Sequence, residues 1–227
     1  MNIRNLLTAI AILSTLTLSM PVNAQTKADN LFNSALKKTE LEDFTGAIAD
    51  LKQATILYNQ KGNKVNAYKS QAVIFYLEEE LKDFKIVKRD TPIANWYQSG
   101  KCLPGEPLCN YMAQWITPPV PKSNFGGVIL LEKLLRHLDN GSPVSAILDV
   151  QVIPKLKAGE MLSSQCEIKG KSNENIFALV QYVGFENEAL YTKVRGTWFF
   201  NTKTKKIQIL PNKGVACINN CPGGSPC

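Results

Sequence analysis

Residues 126–141 read GGVILLEKLLRHLDNG, and the assignment of this run decides what covers the C-terminal half of the chain. Gly126 and Gly127 precede an apolar stretch, and Asn140 and Gly141 follow it, as expected at the two ends of a helix. Leu131, Leu134, Leu135 and Leu138 fall at spacings of three and four, with Glu132, Lys133, Arg136 and His137 between them. That spacing predicts an amphipathic helix over 127–139, with a leucine side for a core and a charged side for water.

Beyond Pro143 the hydrophobic period changes to two. SAILDVQVI (145–153), MLSSQCEI (161–168), NIFALVQYV (175–183), LYTKVRGTWFF (190–200) and KKIQIL (205–210) read as strands, with a short one at 214–218. FFNTKTKKIQIL folds back through a polar turn at 201–205. Consecutive strands with short links predict an antiparallel meander, and the helix at 127–139 is expected to lie on its apolar face.

Upstream, residues 84–124 read as a connector with weak periodicity. It holds TPIANWYQSG, the loop KCLPGEPLCN and a run with Pro118, Pro119 and Pro121, which favours extended backbone and marks a boundary. Before it come two helical patterns. One carries Leu31, Ala35 and Leu36 near one face; the other carries Phe44, Ala47, Ile48, Leu51, Ala54 and Leu57 at helical spacing. A third helix over 63–83 is expected to cap them through Val65, Tyr68, Ala72, Phe75 and Tyr76. The expected class is α+β. A helical hairpin plus capping helix (25–83) is followed by the connector (84–124), then by a helix packed on an antiparallel meander (125–227).

Leu31, Ala35, Phe44, Ala47, Leu51, Ala54 and the string EDFTGAIADLKQA resemble one tetratricopeptide repeat over residues 28–61. Ser34 and Lys38 stand where that family usually has a leucine and an aromatic, and Asn59 where a proline is common. One repeat further on, Leu81 stands where a small alanine is expected. The resemblance implies a surface that holds a peptide or protein. A lone repeat cannot bury its apolar side and must pack on a neighbour. The C-terminal part is similar to uncharacterised exported proteins met in cyanobacteria, through a cysteine after a strand, a tryptophan hairpin and a final Gly-Val-x-Cys. That likeness implies no mechanism.

The N-terminus opens MNIR, continues as LLTAIAILSTLTL, and places Val22-Asn23-Ala24 before Gln25. This reads as a secretory signal over 1–24, cleaved after Ala24, with the mature protein in a periplasm or outside the cell. The apolar run is short for a bilayer span. Cleavage removes Arg4 and lowers the formal net charge of +7 by one. For an exported chain this basic balance points to anionic headgroups, cell-wall polymers or an acidic protein rather than to nucleic acid. Scattered lysines also serve solubility alone.

All six cysteines lie beyond the signal, which implies three disulfides in an exported protein. Proline- and glycine-rich rings favour Cys102–Cys109 and Cys221–Cys227, leaving Cys166–Cys217. The competing scheme pairs Cys166 with Cys221 or Cys227. Three thiols without a nearby histidine make a poor zinc site. No C-x-x-C pair suggests redox work.

No catalytic residue, metal or cofactor is assigned from sequence. His137, the single histidine, has no nucleophile motif to serve. Glu78, Glu79 and Glu80 read as a solvated helix face with Lys82 and Lys85 nearby, and Glu160, Glu186 and Glu188 fall in turns. No phosphate-cradling loop is present. Asn140-Gly141-Ser142 matches a glycosylation acceptor. Trp96, Tyr97, Tyr111 and Trp115, around the CLPGEPLC loop, are candidate binding residues; the same aromatics also suit anchoring of a long connector.

The expected function is therefore a non-enzymatic, exported binding protein whose partner is a protein of the envelope or the exterior. One alternative is an envelope hydrolase or inhibitor with a cleft between its helical and sheet parts. That reading calls for a pocket holding two or more of His137, Glu160, Glu186, Glu188 and Arg195. A second alternative is a binder of anionic polymer, which needs Lys193, Arg195, Lys203, Lys205 and Lys206 together.

Overall fold

The computed structural model describes residues 22–84, 97–117, 124–184 and 187–220. Three helices come first: α1 Val22–Glu40, α2 Phe44–Gln60 and α3 Lys64–Phe84. The strands are β1 Tyr97–Cys102, β2 Tyr111–Thr117, β3 Phe125–His137, β4 Pro143–Pro154, β5 Glu160–Ser163, β6 Cys166–Ile168, β7 Lys171–Asn173, β8 Ile176–Gln181, β9 Leu190–Tyr191, β10 Val194–Asn201, β11 Lys206–Leu210 and β12 Val215–Ile218. The α+β class follows from this order. Residues 1–21 of the expected signal lie outside the described residues, and α1 begins at Val22, just before the expected cut.

Local chemistry explains the helical part. The Asp43 carboxylate accepts from the Gly46 amide at 2.9 Å and caps α2, satisfying a donor that the first turn leaves unpaired. The Asn63 side chain does the same for Asn66 at the start of α3, at 3.1 Å. Ala35, Ala47 and Ala54 are fully buried, so α1 and α2 approach closely through small side chains. Of the capping residues expected on α3, Tyr68, Ala72 and Tyr76 are buried, while Val65 is exposed.

The expected helix over 127–139 is instead the strand β3, and no helix covers the meander at that point. β3 is central in the sheet β1-β2-β3-β4, paired antiparallel with β2 on one side and β4 on the other. Successive side chains point to opposite faces. Val128 and Leu130 join a core with α1, α2 and α3. Ile129 and Leu131 join a second core with β8, β10 and β11. A strand covered on both faces shows a continuous apolar run, not an alternating one, and so satisfies a helical pattern by chance. Gly126 and Gly127 serve the sheet rather than a helix start. Gly127 has φ +127°, and a Cβ there would collide with the Ile116 carbonyl oxygen, so glycine is required.

The stretch read as a connector also pairs. β1 and β2 form a hairpin on this sheet, in register from Tyr97 opposite Thr117 to Cys102 opposite Met112. The second sheet, β11-β10-β8-β5, lies against the first. The third, β7-β6-β12-β9, packs on its far face through Ile176, Ala178, Val180 and Val215. The order of layers is thus helices, first sheet, second sheet, third sheet. Each fully buried leucine or isoleucine here contributes roughly 1.5–3 kcal/mol. Leu130→Ala, at a fully buried position, would cost about 2–5 kcal/mol.

The helical layer is keyed to the first sheet by polar contacts as well. Thr39 is fully buried. Its hydroxyl accepts from the Ile147 amide at 3.0 Å and donates to the Leu36 carbonyl at 2.6 Å. At the rim, Arg136 holds Glu42 with hydrogen bonds of 2.7–3.0 Å.

Candidate functional site

Two of the expected disulfides are formed, Cys102–Cys109 and Cys166–Cys217. The second joins residues directly opposite each other on β6 and β12, which settles the partner of Cys166. Cys221 and Cys227 lie outside the described residues, as does Trp96. Tyr97 begins β1. Tyr111 and Trp115 are half-buried and pack into the core between the first and second sheets. The Trp115 indole donates to the Gly126 carbonyl at 3.4 Å. These two aromatics anchor the hairpin to the body of the protein.

The residues considered for catalysis scatter. His137 is exposed at the end of β3, opposite Pro143. Glu188 is exposed, and Glu186 lies outside the described residues. Among the described residues of this set only Glu160 and Arg195 come together, in an open cleft of about 530 Å³ shared with Lys157 and Lys193. There they neutralise each other. Arg195 donates to both Glu160 carboxylate oxygens at 2.6–2.7 Å and to the Lys155 carbonyl at 2.8 Å, while the Lys157 amide donates to Glu160 at 2.7 Å. The Arg195 hydrogen bond holds the Glu160 carboxyl below its ordinary range, which unfits it as a general acid. Lys193 and Arg195 line this cleft, whereas Lys205 and Lys206 line another. The basic residues proposed for an anionic polymer therefore do not share one cleft.

That other cleft is a groove where the helical layer meets β4 and the β10–β11 turn. One part, about 360 Å³, is lined by residues that include Asp29, Phe32, Tyr58, Lys69, Asp149 and Lys206. The adjoining part, about 450 Å³, runs past Lys37, Glu40, Leu148 and Lys205. Asn33 and Leu36 line both. Most charges in it are tied down. Asp149 is almost fully buried; it accepts from the Ile207 amide at 2.7 Å and faces the Lys206 ammonium at 3.6 Å. Asp29 accepts from the Tyr58 hydroxyl at 2.7 Å and from Gln25 at 3.0 Å, both on Oδ1. Burial and the neighbouring Asp29 push the Tyr58 hydroxyl far above its ordinary range, so it remains a donor. Glu40 faces Lys205 at 3.7 Å.

Lys37 is exposed and Lys69 is partly buried, and neither is held by an ion pair within 4.0 Å among the described residues. The Lys69 ammonium lies 4.9 Å from the centroid of the Phe32 ring, a favourable cation–π placement. Burial lowers its pKa, opposed by the charges of Asp149 and Asp29. The fold thus keeps a partly desolvated cation in a groove with Asp149 and Asp29 near it but in no direct ion pair with it.

A second buried group stands nearby in the helix–sheet seam. Glu132 on β3 is fully buried and points at α3. It accepts from Gln114 at 2.8 Å, and its other carboxyl oxygen has no partner among the described residues. Burial raises its pKa to about 8; hydrogen bonding from Tyr76 and Gln114 opposes this, and the charge of Glu80 adds to it. The group is neutral over most of the physiological range and acts as part of the seam.

Sequence reasoning missed Lys69, Glu132 and Asp149. Each left a signal: a charge inside an apolar pattern. Lys69 lies three and four residues before Ala72 and Val73 on the buried side of α3, Glu132 interrupts VILLEKLL, and Asp149 interrupts SAILDVQVI. Among the described residues no group of three or more histidine, cysteine or carboxylate side chains is placed to hold a metal, and no helix is long and apolar enough to cross a membrane. No protein-family model matches the chain, and no curated protein or solved structure matches it either.

Proposed function

We propose that the protein is an exported, non-enzymatic binding protein that receives its partner in the groove between the helical layer and the β10–β11 turn. The observation that carries this reading is Lys69, a partly buried cation without an ion pair in a groove whose carboxylates are engaged by other groups. Holding a charge partly out of water without a partner is unfavourable, and such arrangements cluster at working sites. The groove draws on α1, α2, α3, β4 and β11, so it exists only in the folded whole. The tetratricopeptide-like hairpin fits this role through its rim. Its apolar side is occupied by the first sheet, with Ala28, Phe32 and Leu36 sharing a core with Ile147 and Val150.

Export is supported by the two disulfides, which persist in oxidising compartments. N-terminal sequencing of the secreted protein should begin at Gln25. The groove is tested by filling it. Asn33 is exposed and lines both parts, so Asn33→Trp should block capture of the native envelope partner while Arg195→Met, in the other cleft, leaves capture intact. Equal capture by wild type and Asn33→Trp would move the binding surface elsewhere.

A further inference from the structure

The part of the groove around Lys69 has a definable chemistry. Its volume, about 360 Å³, suits a small molecule or a small group presented by the partner rather than a folded domain. The Lys69 ammonium offers its hydrogens to whatever enters, and the Phe32 ring keeps it oriented. The Asn66 side chain lines the same wall; its backbone amide is taken by Asn63, and its side-chain amide makes no hydrogen bond among the described residues. Phe32 and Leu36 supply an apolar floor. Two lysines, Lys69 and Lys206, face two aspartates, Asp29 and Asp149, so the formal charges of the pocket cancel. A single negative charge can be accepted by the unpaired lysine, while a dianion would meet both aspartates.

We propose that this pocket binds a small organic monocarboxylate, with its carboxylate on Lys69 and its hydrocarbon part on Phe32 and Leu36. The charge-assisted hydrogen bond is strengthened by the partial burial of Lys69. The lowered pKa of Lys69 fits an ammonium that lacks the counter-ion the ligand brings. The inference rests on the binding-groove reading and names the ligand class of that groove.

The test is calorimetric titration of the full mature protein at pH 8 with monocarboxylates from acetate through hexanoate, in a buffer free of other carboxylates, with inorganic phosphate, predominantly dianionic at that pH, as the probe for doubly charged anions. At least one monocarboxylate should bind with one-to-one stoichiometry, and phosphate should neither bind nor compete. Lys69→Met should weaken binding by about tenfold or more, the worth of one charge-assisted hydrogen bond. Lys69→Arg should restore part of it, which separates lost charge from lost folding. Failure of every monocarboxylate to bind, undiminished binding by Lys69→Met, or displacement by phosphate would each overturn the inference. If carboxylate binding fails while Asn33→Trp still abolishes partner capture, only the ligand class is wrong. If Asn33→Trp has no effect on capture, the groove itself is misassigned.

Discussion

Two charged clefts among the described residues differ in how their charges are closed. In the cleft of the second sheet, Arg195 and Glu160 share two hydrogen bonds, and backbone groups take up what remains. In the groove beside the helical layer, Asp149, Asp29 and Glu40 are all engaged, yet Lys69 is left over. A closed pair stabilises its surroundings and has nothing left to offer a ligand. An open cation is a cost to the fold and an opportunity for binding. Stability and function should therefore respond in opposite directions when the two clefts are altered.

The largest expected effect removes the seam that forms the groove. Glu132→Lys places an ammonium in a fully buried position under α3 and should cost about 3–5 kcal/mol, read by chemical denaturation. On the solvent side of an amphipathic helix the same change would be nearly silent, so the substitution also tests the strand assignment. Next comes pH. Burial raises the Glu132 pKa from 4.5 to about 8, so the native state favours the proton. This contribution is fully present below about pH 4.5, declines as pH rises through about 8, and is flat above. Glu132→Gln should flatten that decline and leave the variant more stable than wild type at pH 8 by a few kcal/mol, from the size of such shifts.

Arg195→Met should cost about 2 kcal/mol, because it strands the largely buried Glu160 carboxylate with the Lys157 amide as its remaining partner. Thr39→Val should cost about 1–2 kcal/mol by leaving the Ile147 amide unpaired inside the seam. Full stability in either variant would erase the distinction between closed and open charges.

Much of this architecture was legible in the sequence. The helical spacing of Phe44, Ala47, Ile48, Leu51 and Ala54 marked α2, and β8 was read as a strand although its apolar run is also covered on both faces, because that run is too short for a helix. Cys102 and Cys109 were close enough in sequence, and Cys166 and Cys217 lay on strands that could pair. β3 was not legible, because burial on both faces removes the period-two signal and its leucines happen to fit a helix. β2 was hidden for a different reason. Gln114 faces inward to meet Glu132, so a polar residue sits where the strand pattern calls for an apolar one. Lys69 was missed since a lysine on a helix normally reads as a solvated residue; only the packed tertiary structure shows that it lies over Phe32 within a groove.

The smallest expected change in stability is the most direct test. Lys69→Met keeps the aliphatic stem over Phe32 and removes the unpaired charge. Side-by-side denaturation and carboxylate titration of this variant should show stability unchanged or raised, by up to about 1 kcal/mol, together with weakened binding. A loss of stability comparable to that of Arg195→Met, with binding intact, would show that Lys69 is a structural residue and that the groove is not held open for a ligand.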